Sequence, residues 1–470
     1  MTETKIKRLT KAAALAAAML TLAMPANALG AQSNDTELSE LRAQIAMLQQ
    51  RLEALEAREK QAQAAPQPVA ATAPAAPAPA PDSVTVKLGT KGLVFATQDK
   101  QYSFSINTRV QADAHFFPDN ADGTDEVFLR RAIVSFRGQA GIMKWRVSPN
   151  FASSVNMEDA WIELDFSDAL HLTTGKLLSV EGLENFQSNA KLLFMERGLP
   201  NNMTPGREIG VKLDGKLGSS IYYGLSVTDG ALDGNSANNN VNLSDEMLLS
   251  GLVKISPFAA DKNSPLAGLT FGVSGSVGSE NTSLDGSTDR SMKYKTSGRN
   301  TFLSVQTGTL LNGTRYRLNP QATWYYGSIG VLSEYILSSY EMSRGGVAQT
   351  VDNNGWTVQA SYVLTGEANT FAGVKPAHPF SLGESGWGAF EVGMRYNVFT
   401  ADKAMFEGGS ATILAGSGSV QKASAIGASL KWHMTDNLLW ALNYEVTDFS
   451  GLGADKDSEQ ALMTRLQIDF

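Results

Sequence analysis

Cysteine is absent from all 470 residues, which rules out a disulfide, a thiolate metal site or a cysteine nucleophile. Histidine is scarce. His115, His171, His378 and His433 stand far apart in sequence, which argues against a histidine metal site. After residue 28 no apolar run reaches the roughly 18 residues that a membrane-crossing helix needs. A chain that crosses a bilayer without such runs must use strands closed into a barrel, because lipid offers no partner for a free backbone group. Bases are outnumbered, 39 Lys and Arg against 47 Asp and Glu, and the formal charge of −8 argues against nucleic acid as a partner.

Three segments precede the strands. Residues 1–28 have the form of a secretory leader: Lys5, Lys7, Arg8 and Lys11, then a short apolar stretch from Ala12 to Met24, then Ala26-Asn27-Ala28 for cleavage. Removing them takes away four bases and one acid, which moves the formal charge from −8 to −11. In 29–60, Leu38, Leu41, Ile45, Leu48, Leu52 and Leu55 alternate by three and four residues, the seam of a short coiled coil. A lone helix of this length is marginal in water, so the pattern predicts self-association. From 61 to 83, prolines at 66, 68, 74, 77, 79 and 81 predict an extended spacer.

The remainder, 84–470, alternates. Phe104, Ile106, Val110, Ala112 and Ala114 share one face, and Ser105, Asn107, Arg109, Gln111 and Asp113 the other. The same period recurs in 126–138, 143–152, 157–167, 169–178, 206–215, 220–229, 246–256 and 267–278. It continues in 314–326, 329–342, 355–365, 387–399, 423–434, 438–448 and 460–470. The result is about sixteen strands of about ten residues, the length of a tilted membrane strand. Connections are tight on one side and long on the other (229–245, 279–313, 343–354, 400–422 and 449–459), with 366–386 as a long exception on the tight side. The fold class predicted is all-β: a transmembrane antiparallel barrel preceded by a short periplasmic coiled coil. Both barrel ends then lie in the periplasm, and outer-membrane lipid is the surrounding medium. Phe470 closes the last strand with Ile468, Leu466 and Leu462 on its face, which resembles the assembly signal of outer-membrane barrels.

Several segments carry a likeness to a known family. They are Phe128-Leu129-Arg130-Arg131-Ala132, Glu158-Asp159-Ala160-Trp161-Ile162-Glu163, Thr174-Gly175-Lys176, Phe194 through Pro200 (FMERGLP) and Pro205 through Val211 (PGREIGV). Arg317 through Gly327 and Gly386 through Glu391 add to them. Together they resemble the phosphate-selective, O/P-type outer-membrane porins. The resemblance implies a sixteen-stranded homotrimeric porin with one loop folded into the lumen and arginines along an anion path. It departs at that loop. Phosphate-specific members carry a lysine cluster there, whereas 178–205 holds Lys191 and Arg197 as its bases and also Glu181, Glu184 and Glu196.

Parity on the strands turns Arg131, Arg137, Arg109, Arg315 and Arg317 inward. Arg146, Lys144, Arg395, Lys431 and Arg465 share that parity, as do Asp113, Asp159, Glu163, Asp165, Glu391 and Glu445. Arg130 has lipid-side parity but starts its strand. Arg130, Arg131, Arg315, Arg317, Arg137, Arg109, Lys191, Arg197 and Arg207 are the candidate substrate path. Arg131, Arg315 and Arg317 are read as a funnel at the outer mouth. A ring of cations lowers the barrier for anions in a narrow pore. The function expected is passive diffusion of small anions such as phosphate, with no cofactor, no metal and no enzymatic activity. The alternatives are a general or other-solute porin, and an envelope-tethering barrel whose N-terminal segments contact peptidoglycan. His115 and His433 face inward without a serine or aspartate partner defined by sequence, and the acids Asp119, Asp122, Asp125 and Glu126 lack calcium-loop spacing.

Overall fold

A computed structural model describes residues 83–470, except 119–122, 238–246, 288–289 and 384, together with Met47 and Gln50, which are helical. The leader, the coiled coil and the linker otherwise lie outside the described residues. The chain divides into two units, and the second, Pro79–Phe470, contains the sheet.

β1 (Val84–Gly89) and β2 (Gly92–Thr97) form a hairpin ahead of the barrel. The wall opens with β3 (Tyr102–Phe116), β4 (Glu126–Ala140), β5 (Met143–Asn150), β6 (Asn156–Ser167) and β7 (Leu170–Leu178). It continues with β8 (Arg207–Leu217), β9 (Ile221–Thr228), β10 (Leu248–Ile255) and β11 (Thr270–Ser283). A small hairpin, β12 (Lys293–Lys295) and β13 (Thr301–Ser304), sits in the next loop. The wall then resumes with β14 (Leu310–Tyr326), β15 (Ile329–Arg344), β16 (Val347–Val363) and β17 (Ala389–Thr400). It ends with β18 (Val420–His433), β19 (Leu438–Gly453) and β20 (Glu459–Asp469). Each wall strand pairs antiparallel with the next, and β20 returns to β3 from Leu462↔Phe116 to Asp469↔Arg109, closing a 16-strand barrel. Closure removes the free edges that lipid would leave unsatisfied. Among the described residues no helix is long and apolar enough to cross a membrane.

Alternation decides which face each residue takes. Leu249, Val253, Val273, Val277 and Leu318 are exposed on the outer face, while their strand neighbours Ser250, Ser274 and Ser276 are buried within. At the end carrying both ends of the wall, aromatic rings gather. Trp324 stacks on Tyr326 at 6.4 Å and Phe390 on Trp432 at 5.7 Å. The indole nitrogens of these Trp donate to the Pro265 and Trp387 carbonyls. Rings with an apolar body and a satisfied polar tip suit a membrane–water boundary. The chain is an outer-membrane, multi-pass β-barrel.

Several strands run further toward the opposite end than their alternation predicts. β11 reaches Ser283, β14 starts at Leu310 and β19 reaches Gly453. The expected loop at 343–354 is instead a two-residue turn, Gly345–Gly346, with φ of +59° and +82°. Only glycine takes both angles without strain, which is why this hairpin is tight. At the end carrying Phe470, two connections are long, 256–269 and 364–388.

The loops at the opposite end fold inward. Segment 179–206, with its one-turn helix α1 (Leu183–Phe186) and a 3₁₀ turn at Leu199–Met203, enters the lumen. Leu232, the β12–β13 loop and 401–419 pack above it. Met203, Leu232, Tyr294, Phe302, Ile336 and Phe399 form one apolar cluster, with Phe302 and Phe399 edge-to-face at 5.2 Å. Inward positions of β15 to β17 are therefore apolar at this depth, because they meet loops and not water. Each such side chain contributes about 1.5–3 kcal/mol when withdrawn from water. The lumen is filled there, and open space lies along β3 to β9 and, nearer the end carrying Phe470, beside β10, β11 and β14.

Candidate permeation pathway

Two β-bulges load the open half with charge. In the β3–β4 register Gln111 faces Arg131 and Ala112 faces Leu129, so Arg130 is the extra residue. In β5–β6 Ser148 faces Asp159 and Pro149 faces Met157, so Glu158 is extra. A regular strand would turn one member of each adjacent pair toward lipid, at a cost for a charge of a few kcal/mol near mid-bilayer. A bulge re-aims the extra residue. Arg130 thus reaches the loop residue Glu196 through two bonds of 2.6 and 3.0 Å, and Arg131 donates to Gln111 at 2.8 Å. Glu158 and Asp159 both reach Arg207, at 3.1 and 3.2 Å.

The wall from β15 round to β3 grips the infolded loop. Glu334 accepts from the Leu183 amide at 2.8 Å, Asn397 from Leu199 at 2.9 Å and Asn443 from Met195 at 2.7 Å. Ser429, Lys431 and Gln467 donate to the Leu193, Leu192 and Ala190 carbonyls. The loop's three acids are held by wall arginines: Glu181 by Arg317 at 3.8 Å, Glu184 by Arg395 at 3.8 Å, and Glu196 by Arg130 and Arg465. Burial works to raise the Glu196 carboxyl, but Arg130, followed by Arg465 and Arg131, holds it below the ordinary carboxylate range. The acids that set this loop apart in sequence are therefore internal counter-ions, turned away from the opening.

Between the loop and this side of the wall lies a cavity of about 380 Å³. Its charged lining is Arg109, Arg137, Arg146, Arg197, Arg207 and Lys212 against Asp159 and Glu163. Arg146 pairs with Asp159 at 3.2 Å, Arg109 with Asp469 at 2.8 Å and Lys212 with Asp214 at 3.1 Å. Arg137 is exposed to the lumen and has no ion-pair or hydrogen-bond partner among the described residues. The Arg197 guanidinium donates to the Glu184 carbonyl at 2.9 Å, which leaves its charge uncancelled by that bond.

The profile of the family described as phosphate-selective porin O and P matches residues 104–470. The chain belongs to this family. Porin O of Pseudomonas aeruginosa is 23% identical over 429 residues, covering 83% of this chain and 93% of that one. Among solved structures, OmpT of Vibrio cholerae with loop L8 deleted is similar at a TM-score of 0.50 and 9% identity, over 79% of this chain and 100% of that one. OmpT expressed in the outer membrane gives the same TM-score and identity, over 79% and 98%. Both show the fold.

In this porin the residues predicted from sequence take four different positions. Arg109, Arg137, Arg197 and Arg207 come together at the opening. Arg130 and Arg131 lie on its loop side, committed to Glu196 and Gln111. Lys191 sits further along, its stem against Gly373 of the 364–388 segment. Arg315 and Arg317 do not line an open mouth. Both are buried, Arg315 paired with Glu280 at 3.0 Å and Arg317 with Asp233 at 2.8 Å. They face inward as alternation requires, but the 229–237 loop covers them, and loop packing is not encoded in strand parity. The sequence reading omits Lys212, whose signal is position: it shares the inward face of β8 with Asp214. His433 hydrogen-bonds Glu391 at 3.0 Å, and His115 stands edge-on to Phe128 at 5.0 Å.

Proposed function

We propose that this porin lets small, phosphate-like anions diffuse passively past Arg109, Arg137, Arg146, Arg197, Arg207 and Lys212. The observation that carries the reading is the imbalance of charge at the opening. The loop acids are spent on wall arginines, and the lining keeps six bases against two acids, with Asp469, Asp214 and Glu158 pairing Arg109, Lys212 and Arg207 from behind it. A low-dielectric channel focuses that positive potential and raises the local concentration of anions. Guanidinium forks match phosphate oxygens in pairs, and several such sites in series let an ion pass from one to the next. The family's description as phosphate-selective supports anion passage. A second reading, a general porin of weak selectivity, draws on Asp159, which sits between Arg146 and Arg207 and offsets part of their charge.

The orientation that fits both readings places the end carrying Phe470 in the periplasm. We propose with it a homotrimer, to which the heptads of 29–60 contribute self-association, and a contact of the N-terminal segments with peptidoglycan.

Reversal potential in a potassium chloride gradient across a planar bilayer tests the reading. The wild-type protein should give the sign of anion preference, and millimolar phosphate should reduce the chloride current. Arg137→Ala with Lys212→Ala should move the potential toward zero. A cation-preferring wild-type pore would sink it.

A further inference from the structure

Beyond the arginine opening, toward the end carrying Phe470, lies a second cavity of about 530 Å³. Its chemistry is different. Leu183, Tyr222 and Phe371 contribute apolar surface, and its cations are Lys216 and Lys254. Phe371 belongs to the long 364–388 connection, which folds up beneath the infolded loop. The Gln187 side-chain amide donates to the Phe371 carbonyl at 3.0 Å, so the two inserted segments meet here.

Lys254 is the distinctive group. Its ammonium lies 4.1 Å from the centre of the Phe186 ring and 5.5 Å from that of Phe371. Among the described residues it has neither an ion-pair nor a hydrogen-bond partner, although all three of its protons can donate. Phe186 also lines the arginine opening and meets Tyr222 edge-on at 6.3 Å. An anion leaving the arginines therefore passes Phe186 to reach this cation. Cation–π contact holds the ammonium in place but does not neutralise it.

We propose that this chamber is a binding site for organic anions with an apolar body, such as aromatic carboxylates. The carboxylate takes the free donors of Lys254, with Lys216 adding charge, while the body lies against Leu183, Tyr222 and Phe371. Pockets for small molecules combine this size, an apolar lining and a few placed polar groups. An inorganic anion gains the charge but must leave water against an apolar wall, where a ring gains by burial. The porin would then accept organic anions as well as inorganic ones, sorted by two sites in series. This rests on the anion reading above.

The test uses the purified full-length porin in planar bilayers, with chloride current measured against added benzoate, acetate and inorganic phosphate. Benzoate should reduce the current at concentrations about tenfold below acetate, the effect of roughly 1.4 kcal/mol. In Lys254→Met the benzoate block should weaken about tenfold, the scale of one charge-assisted hydrogen bond, and Lys254→Arg should restore most of it. Phosphate block should change by no more than about twofold, since it arises at the arginines. Phe371→Leu keeps the ammonium and should weaken benzoate without affecting acetate; it also serves if Lys254→Met fails to assemble. Equal block by benzoate and acetate, or benzoate block unchanged in both variants, overturns the chamber and leaves the arginine passage standing. A wild-type pore without anion preference overturns the arginine passage instead.

Discussion

Arg317 of β14 and Asp233 of an infolded loop meet at 2.8 Å in a buried cluster, where Ser338, Tyr340 and Tyr294 also donate to the same carboxylate. Glu181 of a second loop lies 3.8 Å from the same guanidinium. One wall arginine therefore ties two loops to the barrel. Removing it leaves two buried carboxylates without their counter-ion, which costs roughly 3–5 kcal/mol.

Arg317→Ala should lower the unfolding temperature of the detergent-folded barrel and expose the 229–237 segment to protease. Arg137→Ala removes an exposed cation without a partner and should leave stability within about 0.5 kcal/mol. Differential scanning calorimetry with limited proteolysis separates the two. Equal stability in both variants would show that the Asp233 cluster does not secure the loops.

Glu196 sets a pH expectation. Its folded-state affinity for protons is depressed, chiefly because Arg130, Arg465 and Arg131 together outweigh burial. A depressed carboxyl stabilises the fold above its unfolded value of about 4.3, and that stabilisation is lost only as pH falls through the lower folded value. The grip of Arg130 on the loop should thus persist at pH 4, where ordinary carboxyls begin to protonate. Single-channel records at pH 7 and pH 4 should show equally quiet open levels in the wild type. Glu196→Gln should be noisy at both pH values. Loop noise that rises in the wild type between pH 5 and pH 4 would contradict the clamp.

The barrel is legible in the sequence because alternation is imposed by the medium: one face meets lipid and the other water. The pathway is less so. Arg130-Arg131 and Glu158-Asp159 each break the alternation, and the bulges that resolve them are the clue adjacent charges could have given. Arg315 and Arg317 have the parity of lumen residues, but the loop that buries them is set by tertiary packing. Phe399 and Ile336 point into a lumen that parity alone would call wet. The acids of 178–205 read as an obstacle to anions until Arg130, Arg317, Arg395 and Arg465 appear opposite them.

Salt should discriminate between the two groups of arginines. The Debye length falls from about 10 Å at 0.1 M to about 3 Å at 1 M, so the field of solvent-facing Arg137 is screened while buried pairs are hardly affected. The change in reversal potential caused by Arg137→Ala should therefore be large in dilute salt and small at 1 M. Arg315→Ala should show no such trend, because Arg315 is buried against Glu280 at 3.0 Å, out of reach of the salt in the lumen. A salt-dependent selectivity loss in Arg315→Ala would return that residue to the ion path.

The first hairpin has its own role. β20 covers β3 only from Arg109 to Phe116, and below that β2 takes its place, with Leu93 opposite Ile106 and Ala96 opposite Ser103. Phe95 packs on Phe104 at 6.2 Å, and Asn437 donates to the Thr90 carbonyl at 3.0 Å. Removing residues 29–81 deletes no strand of the described sheet. Removing 29–98 strips the backbone partners from 103–106 of β3, each lost bond costing roughly 0.5–1.5 kcal/mol. With residues 1–28 retained, the shorter deletion should give folded barrel at wild-type yield, read as heat-modifiable mobility on gels. The longer deletion should lower both yield and unfolding temperature by an easily measured margin. If the shorter deletion already prevents assembly, the N-terminal segments are integral to the barrel; if the longer one is harmless, β2 is not part of its wall.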